Sequence, residues 1–134
     1  MSRLAGKRAF VTGGRQGIGL GIVEAFMEEG AAVTTCGRGP RPKDLSTHCI
    51  WHALDVTDSE ATNELAWIMD GTDVLVNNAG VQVEKTVADS TDADWDLVMG
   101  VNARGVFNCC RALIPHMTAG SAIINIGSIS GNVA

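Results

Sequence analysis

Residues 11–21, VTGGRQGIGLG, limit what this chain can fold into more than any other stretch. An apolar run, Ala9-Phe10-Val11, ends in Thr12 and a cluster of glycines, and an amphipathic helical pattern begins at Ile18. The order is strand, tight turn, helix. Glycines at 13, 17 and 19 remove the Cβ where a backbone turns sharply, approaches a phosphate, or lets a helix start lie on a sheet. The N–H groups that open the following helix favour an anion. The spacing Gly13-x-x-x-Gly17-x-Gly19 departs from the general dinucleotide fingerprint, and no Gly-Lys-Ser/Thr follows to make a P-loop. A glycine turn without a ligand is the competing reading, so the rest of the chain has to decide.

Strand-like runs recur at residues 8–12, 32–36, 49–54, 73–77 and 121–127, and VLV and AIINI are nearly continuous in apolar residues. Such runs suit strands buried on both faces, as in a parallel sheet. Helical patterns alternate with them. From 18 to 29, Ile18, Ile22, Ala25 and Phe26 form one face and Glu24 and Glu28 the other. The connection GRGPRPKDLSTH reads as a loop with at most one helical turn. Thr57-Asp58-Ser59-Glu60 reads as a capping box for a helix that buries Ala61, Leu65 and Ile68 and stops near Gly71. A similar start, Thr91-Asp92-Ala93-Asp94, opens the longest helical region, running to about Met117 with the stripe Trp95, Val98, Met99, Asn102, Val106, Cys109 or Cys110, Leu113, Met117. Alternation of this kind predicts one α/β domain over residues 1–134, a doubly wound parallel sheet of five strands in the order 3-2-1-4-5. Its ligand crevice opens where the order reverses, at the C-terminal ends of the first and fourth strands.

The unusual residues gather at that edge. Gly13 to Gly19 follow the first strand, Gly37 and Arg38 the second, Asp55 and Val56 the third, Asn77-Asn78-Ala79-Gly80 the fourth, and Ser128 the fifth. The two asparagines suit a turn, or they hold neighbouring loops or contact a ribose. Asp55 either precedes the cap at Thr57 or accepts a hydrogen bond from an adenine amino group. Asn102, an amide on an apolar stripe, either satisfies a helix boundary near Gly100 to Gly105 or holds a break in the helix and orders water. Ser128 is a turn residue or a donor to a substrate oxygen. No acid stands at the end of the second strand to grip a ribose 2′-hydroxyl. Arg38, with Arg41 and Lys43 beyond it, suits a 2′-phosphate instead, which favours NADP over NAD.

Composition excludes several classes. A net charge of −5 does not suggest a nucleic-acid-binding surface. No segment approaches a membrane span, and the N-terminal residues lack the apolar run of a signal peptide. The four cysteines have no framework spacing, which points to reduced thiols and a cytoplasmic protein. If the piece from His48 to His52 is a strand, the two histidines lie ~13 Å apart and cannot share a metal, so no metal site is expected.

Taken together, Thr12-Gly13-Gly14-Arg15-Gln16-Gly17-Ile18-Gly19, Asp55-Val56, Asn77-Asn78-Ala79-Gly80, Asn102, and Ser128 within NIGSISG resemble the short-chain dehydrogenase/reductase family along the whole chain and in the family's order. The resemblance implies a Rossmann fold in which the glycine loop holds a pyrophosphate, Asp55 and Val56 flank adenine, and Asn78, Ala79 and Gly80 lie beside the cofactor. Thr12, Gly13, Arg15, Gln16, Gly17, Ile18, Gly19 and Arg38 complete the implied cofactor site, and Asn102 and Ser128 take the catalytic positions. It also implies hydride transfer between NADP, or NAD, and a small carbonyl or alcohol substrate, and a homo-oligomer whose contact includes residues 104–117.

The chain departs from the family's pattern at one place. The general acid/base there is a tyrosine in a Tyr-x-x-x-Lys motif roughly a dozen residues beyond the serine. This chain has no tyrosine, and Lys7, Lys43 and Lys85 all precede Ser128. The C-terminal part of the family fold is absent, these 134 residues alone are expected to be inactive, and residues 122–126 are expected to be an apolar sheet edge. A non-catalytic nucleotide-binding module with an interaction or regulatory role is the rival reading. A Tyr-x-x-x-Lys continuation in the coding sequence favours the enzyme.

Overall fold

The structure, a computed structural model, describes residues 2–132. The far end of the 128–134 loop therefore lies outside the described residues. Strands β1 (Arg8–Thr12), β2 (Ala32–Gly37), β3 (Ile50–Ala53), β4 (Val74–Asn77) and β5 (Ala122–Asn125) form one parallel sheet in the order β3-β2-β1-β4-β5. This is the topology the alternation predicts, with β3, β4 and β5 each shorter than the apolar runs that contain them.

Side chains alternate across each strand, so one run feeds two cores. Phe10, Cys36 and Leu75 point to one face and pack with Leu54, Leu65, Ala66, Cys109 and Leu113. Ala9, Val11, Val33 and Val76 point to the other and pack with Val23, Leu45 and Cys49. Each fully buried aliphatic or aromatic side chain here is worth about 1.5–3 kcal/mol. The central strand β1, buried from Ala9 to Thr12, is the axis of both cores.

The helices differ from their predicted faces. In α1 (Gly17–Glu28) the residues buried on the sheet are Gly19 and Val23, with Ile22 and Phe26 half-buried beside them, whereas Ile18 is 68% exposed. Glycine at 19 lets the first turn approach the loop before it, and Ile18 is thereby turned toward the crevice. In α2 (Ser59–Met69) the buried side is Thr62, Leu65 and Ala66, and Ile68 is 71% exposed. The expected Thr57–Glu60 capping box does not form. Asp58 caps α2 by accepting the Ala61 N–H at 3.0 Å, because Thr57 is held by Asp55. The helix ends at Asp70, in the left-handed region with φ 45°, before Gly71.

The longest helical region is interrupted. It comprises α3 (Asp92–Met99), a π-helical segment (Gly100–Arg104), α4 (Gly105–Leu113) and a closing 3-10 turn (Ile114–His116). The capping box at its start does form, with Thr91 Oγ1 accepting the Asp94 N–H and the Asp94 carboxylate accepting the Thr91 N–H. The single stripe does not run its length. Trp95 and Met99 are exposed while Cys109 and Leu113 are buried, since the wider π turn shifts the phase of everything after it. Asn108 takes a buried place on α4 and donates to the Val56 carbonyl at 2.9 Å.

Candidate functional site

A crevice of about 350 Å³ opens at the C-terminal ends of β1, β2 and β4, at the point where the strand order reverses. Of the residues expected there, Gly13, Arg15, Gln16, Gly17, Ile18, Gly19, Arg38, Asp55, Val56, Asn78, Ala79 and Gly80 line it. Thr12, Asn102 and Ser128 do not.

Thr12 lies beneath the crevice, buried. Its Oγ1 accepts the N–H groups of Asn78 at 3.0 Å and Ala79 at 2.9 Å, so one hydroxyl fixes the end of β4 against the end of β1. Asn78 returns the connection, donating through Nδ2 to the carbonyls of Thr12 at 3.1 Å and Gly13 at 3.2 Å. Asn77 reaches the other way, donating to Asn125 Oδ1 at 2.9 Å and to Cys110 Sγ at 3.5 Å. The two adjacent amides thus tie the end of β4 to β1 and its glycine loop on one side and to β5 and α4 on the other.

The glycine loop is built for contact with backbone. Gly13 and Gly17 have φ of 69° and 59°, where a side chain is strained. A Cβ at Gly19 would strike the Gly13 carbonyl and Asn78 Nδ2. Above this contact α1 begins with no side-chain cap and no acidic residue in its first turn. By contrast α2 and α3, whose residues do not line the crevice, are capped by Asp58 and Thr91. The first-turn N–H groups of α1 therefore face the crevice without a side-chain acceptor, a place suited to an anion.

Arg38 and Arg15 line the same crevice, and Arg15 Nη1 donates to the Arg38 carbonyl at 3.3 Å. Arg41 does not join them. Its guanidinium is turned into the β2–β3 connection, donating to the carbonyls of Cys49, Leu45 and Ser46 at 2.8, 3.3 and 2.6 Å. That loop forms two hydrogen-bonded turns, with the Leu45 N–H donating to the Pro42 carbonyl at 3.3 Å and the Cys49 N–H to the Ser46 carbonyl at 3.0 Å, and Arg41 braces both. Lys43 is also outside the crevice lining. Asp55 Oδ1 accepts the Thr57 N–H at 2.9 Å and the Thr57 hydroxyl at 2.7 Å. These two bonds, and after them the charge of Arg38, hold the carboxyl below its ordinary value against some burial.

Asn102 sits within the π segment, and its side chain is paired on both atoms with Val81. Oδ1 accepts the Val81 N–H at 2.8 Å and Nδ2 donates to the Val81 carbonyl at 2.9 Å. The amide ties the broken helix to the segment that follows Asn78-Ala79-Gly80. Ser128 is exposed beyond β5, and its hydroxyl accepts the Ser130 N–H at 3.2 Å, capping the short turn Ile129–Gly131.

Cys36, Leu54, Val81 and Val101 also line the crevice, and nothing in their residue type or spacing singles them out. Each is the immediate neighbour of a residue that was singled out, and each reads as ordinary core. Burial pushes the Cys36 thiol up to about 12, so it is no thiolate at neutral pH.

Fold and crevice together define a doubly wound α/β architecture with a crevice at the switch point. The chain belongs to the short-chain dehydrogenase family, whose model matches residues 7–134. It is 38% identical over 145 residues to an NADP-dependent (R)-specific alcohol dehydrogenase of Lentilactobacillus kefiri, covering 98% of this chain and 58% of that protein. It is 39% identical over 145 residues to galactitol 2-dehydrogenase of Rhizobium johnstonii, covering 98% of this chain and 56% of that protein. Among solved structures it is similar to a short-chain dehydrogenase/reductase of Serratia marcescens, with TM-score 0.92, 31% identity, and coverage of 98% of this chain and 59% of that one. A blue fluorescent protein from a metagenomic library, in complex with NADPH, matches with TM-score 0.88 and 30% identity over 97% of this chain and 59% of that one. The chain thus spans a little over half the length of the relatives it matches. Among the described residues no helix is long and apolar enough to cross a membrane.

Proposed function

We propose that the crevice binds a nicotinamide dinucleotide, NADP in preference to NAD, and that the chain is the cofactor-binding part of an oxidoreductase acting on a carbonyl or alcohol. The observation that carries this reading is the uncapped start of α1 set against the bare backbone of Gly13 and Gly19. A pyrophosphate fits there because the first-turn N–H groups lack a side-chain acceptor, and because glycines at 13 and 19 let the loop close against Asn78, Ala79 and the start of α1. Both NADP named for one relative and NADPH bound to one structural neighbour support the choice of ligand.

The residues divide the work. The first-turn N–H groups of α1, at Gly17, Ile18 and Gly19, would hold the phosphates, with Arg15 and Gln16 on the same loop. Arg38 would meet the ribose 2′-phosphate, aided by Arg15. Asp55 has its Oδ1 engaged by Thr57, which leaves Oδ2 to accept from an adenine amino group beside Val56. Asn78, Ala79 and Gly80 would border the cofactor at the end of β4, on a loop whose position Thr12 and Asn78 fix. The cofactor, when bound, supplies or accepts hydride.

Asn102 and Ser128 are the positions to which the family resemblance gives catalytic roles. Asn102 would act by holding Val81, and so the edge of the crevice, in place. The Ser128 hydroxyl would orient a substrate oxygen once released from its bond to Ser130. Neither residue moves a proton as a general acid/base does, and no tyrosine occurs in the 134 residues. The chain by itself therefore binds cofactor without ordinary turnover. Titration with NADPH, followed by nicotinamide emission, tests the reading. Saturable binding with a stronger response to NADPH than NADH supports it, while binding of S-adenosylmethionine and neither nicotinamide overturns it.

A further inference from the structure

Gly37 ends β2 and lines the crevice, yet the space above its Cα belongs to another residue. A Cβ built there would lie 2.7 Å from Cη2 of Trp51 and 3.6 Å from its Cζ2 and Cζ3. The strand register accounts for this. Thr35 pairs with Trp51 and Gly37 with Ala53, so Trp51 and Gly37 are diagonal neighbours on one face of the sheet, within reach of a side chain as long as an indole. The ring is half-buried against the core of Val33, Leu45 and Cys49. Its Nε1 is buried with no hydrogen-bond partner among the described residues, so packing alone holds it. Trp51 itself does not line the crevice.

The end of β2 is where a carboxylate would accept a ribose diol and where a bare backbone leaves room for a 2′-phosphate. We infer that Trp51, from outside the crevice, is a positioning residue for cofactor choice: its indole edge occupies the place of a side chain at position 37, which keeps an acid from being seated there and leaves Arg38 as the charged group at the end of β2. This rests on the nicotinamide reading of the crevice. It adds to that reading a residue on a neighbouring strand whose bulk decides whether an acid can be seated at all.

The test is a cycle of Gly37→Asp, Trp51→Leu and the double variant in the 134-residue chain. Dissociation constants for NADPH and NADH are measured by titration calorimetry, which does not depend on indole fluorescence. Gly37→Asp alone is expected to weaken NADPH by about tenfold to a hundredfold, the worth of a charged hydrogen bond to phosphate, without gain for NADH. Adding Trp51→Leu is expected to strengthen NADH about tenfold over the single variant and to reverse the NADPH/NADH preference. Reversal by Gly37→Asp alone, equal to that of the double variant, shows that the ring swings aside freely and overturns the inference. So does a double variant that melts near wild type and still fails to gain NADH.

A second pair guards against misfolding of the acidic variants. Gly37→Ala is expected to lower the melting temperature by a few degrees and Trp51→Phe, with its smaller ring, to restore it. No restoration overturns the steric claim. A wild-type chain that binds neither nicotinamide defeats the cofactor reading itself, a result distinct from any pattern among the variants.

Discussion

Alanine at position 19 asks whether the glycine loop is packed on the start of α1 as described. Gly19 is buried and has no left-handed φ, so the helix backbone accepts alanine there and the cost is steric. The added Cβ would lie 2.8 Å from the Gly13 carbonyl carbon and closer still to its oxygen and to Asn78 Nδ2. Overpacking of this kind costs about 1–3 kcal/mol. The bond from Asn78 to Gly13, 3.2 Å long, lies in the same place, and losing it removes about 1 kcal/mol more. Helix propensity returns about 1 kcal/mol. The net is a loss of about 1–3 kcal/mol, together with displacement of the loop that would hold a pyrophosphate. Gly21 is the control, two residues along the same helix, where an added Cβ meets nothing within 4 Å. Gly21→Ala should gain about 0.5–1 kcal/mol by propensity alone. Urea unfolding followed by far-ultraviolet circular dichroism, with the slope unchanged, reads both variants. The two must shift the midpoint in opposite directions. If Gly19→Ala is as stable as Gly21→Ala, the close approach of loop and helix is wrong.

Three other substitutions probe other parts of the molecule. Thr12→Val keeps the shape of a buried side chain but orphans the N–H groups of Asn78 and Ala79, so unfolding should become easier by about 1–3 kcal/mol, with Thr12→Ser near wild type. The lowered carboxyl of Asp55 contributes stability that is fully present above the ordinary carboxylate range and is lost as pH falls through its depressed value. Asp55→Asn should accordingly show a shallower fall in melting temperature from about pH 4 downward, and an unchanged acid limb would refute the Thr57 pairing. Ile123 and Ile124 on β5, and Ile126 just past its end, are each about two-fifths exposed, and among the described residues the strand pairs only with β4. Ile124→Lys should reduce self-association of the 134-residue chain, seen as a lower mass by light scattering.

The sheet order was legible because strand and helix patterns alternate and parallel crossovers have one hand. The crevice was legible because Gly13 to Gly19, Gly37-Arg38, Asp55-Val56 and Asn78 to Gly80 all close strands. Helix faces are less legible, for physical reasons. Ile18 fits the apolar period of α1 but sits at the helix start, where the crevice rather than the core lies beneath it. Thr57 has the residue type and spacing of a cap, yet Asp55, two residues earlier, takes both its backbone and its hydroxyl. The stripe from Trp95 to Met117 assumed a constant period, and the π segment around Asn102 breaks it. Arg41 carries the same charge as Arg38, but only geometry shows that it is bound to three carbonyls of its own loop. Trp51 has no local signal at all, because its contact with Gly37 depends on the register of β2 with β3.

A nicotinamide dinucleotide lying across the C-terminal ends of β1, β2 and β4, as proposed, would shield the backbone there. Amide hydrogen exchange of the 134-residue chain, with and without saturating NADPH, reads this out. Slowed exchange is expected in residues 13–20, 37–39, 54–57 and 78–81, with little change in 122–126. Unchanged exchange across those four segments, or protection confined to another part of the molecule, would contradict the proposed placement.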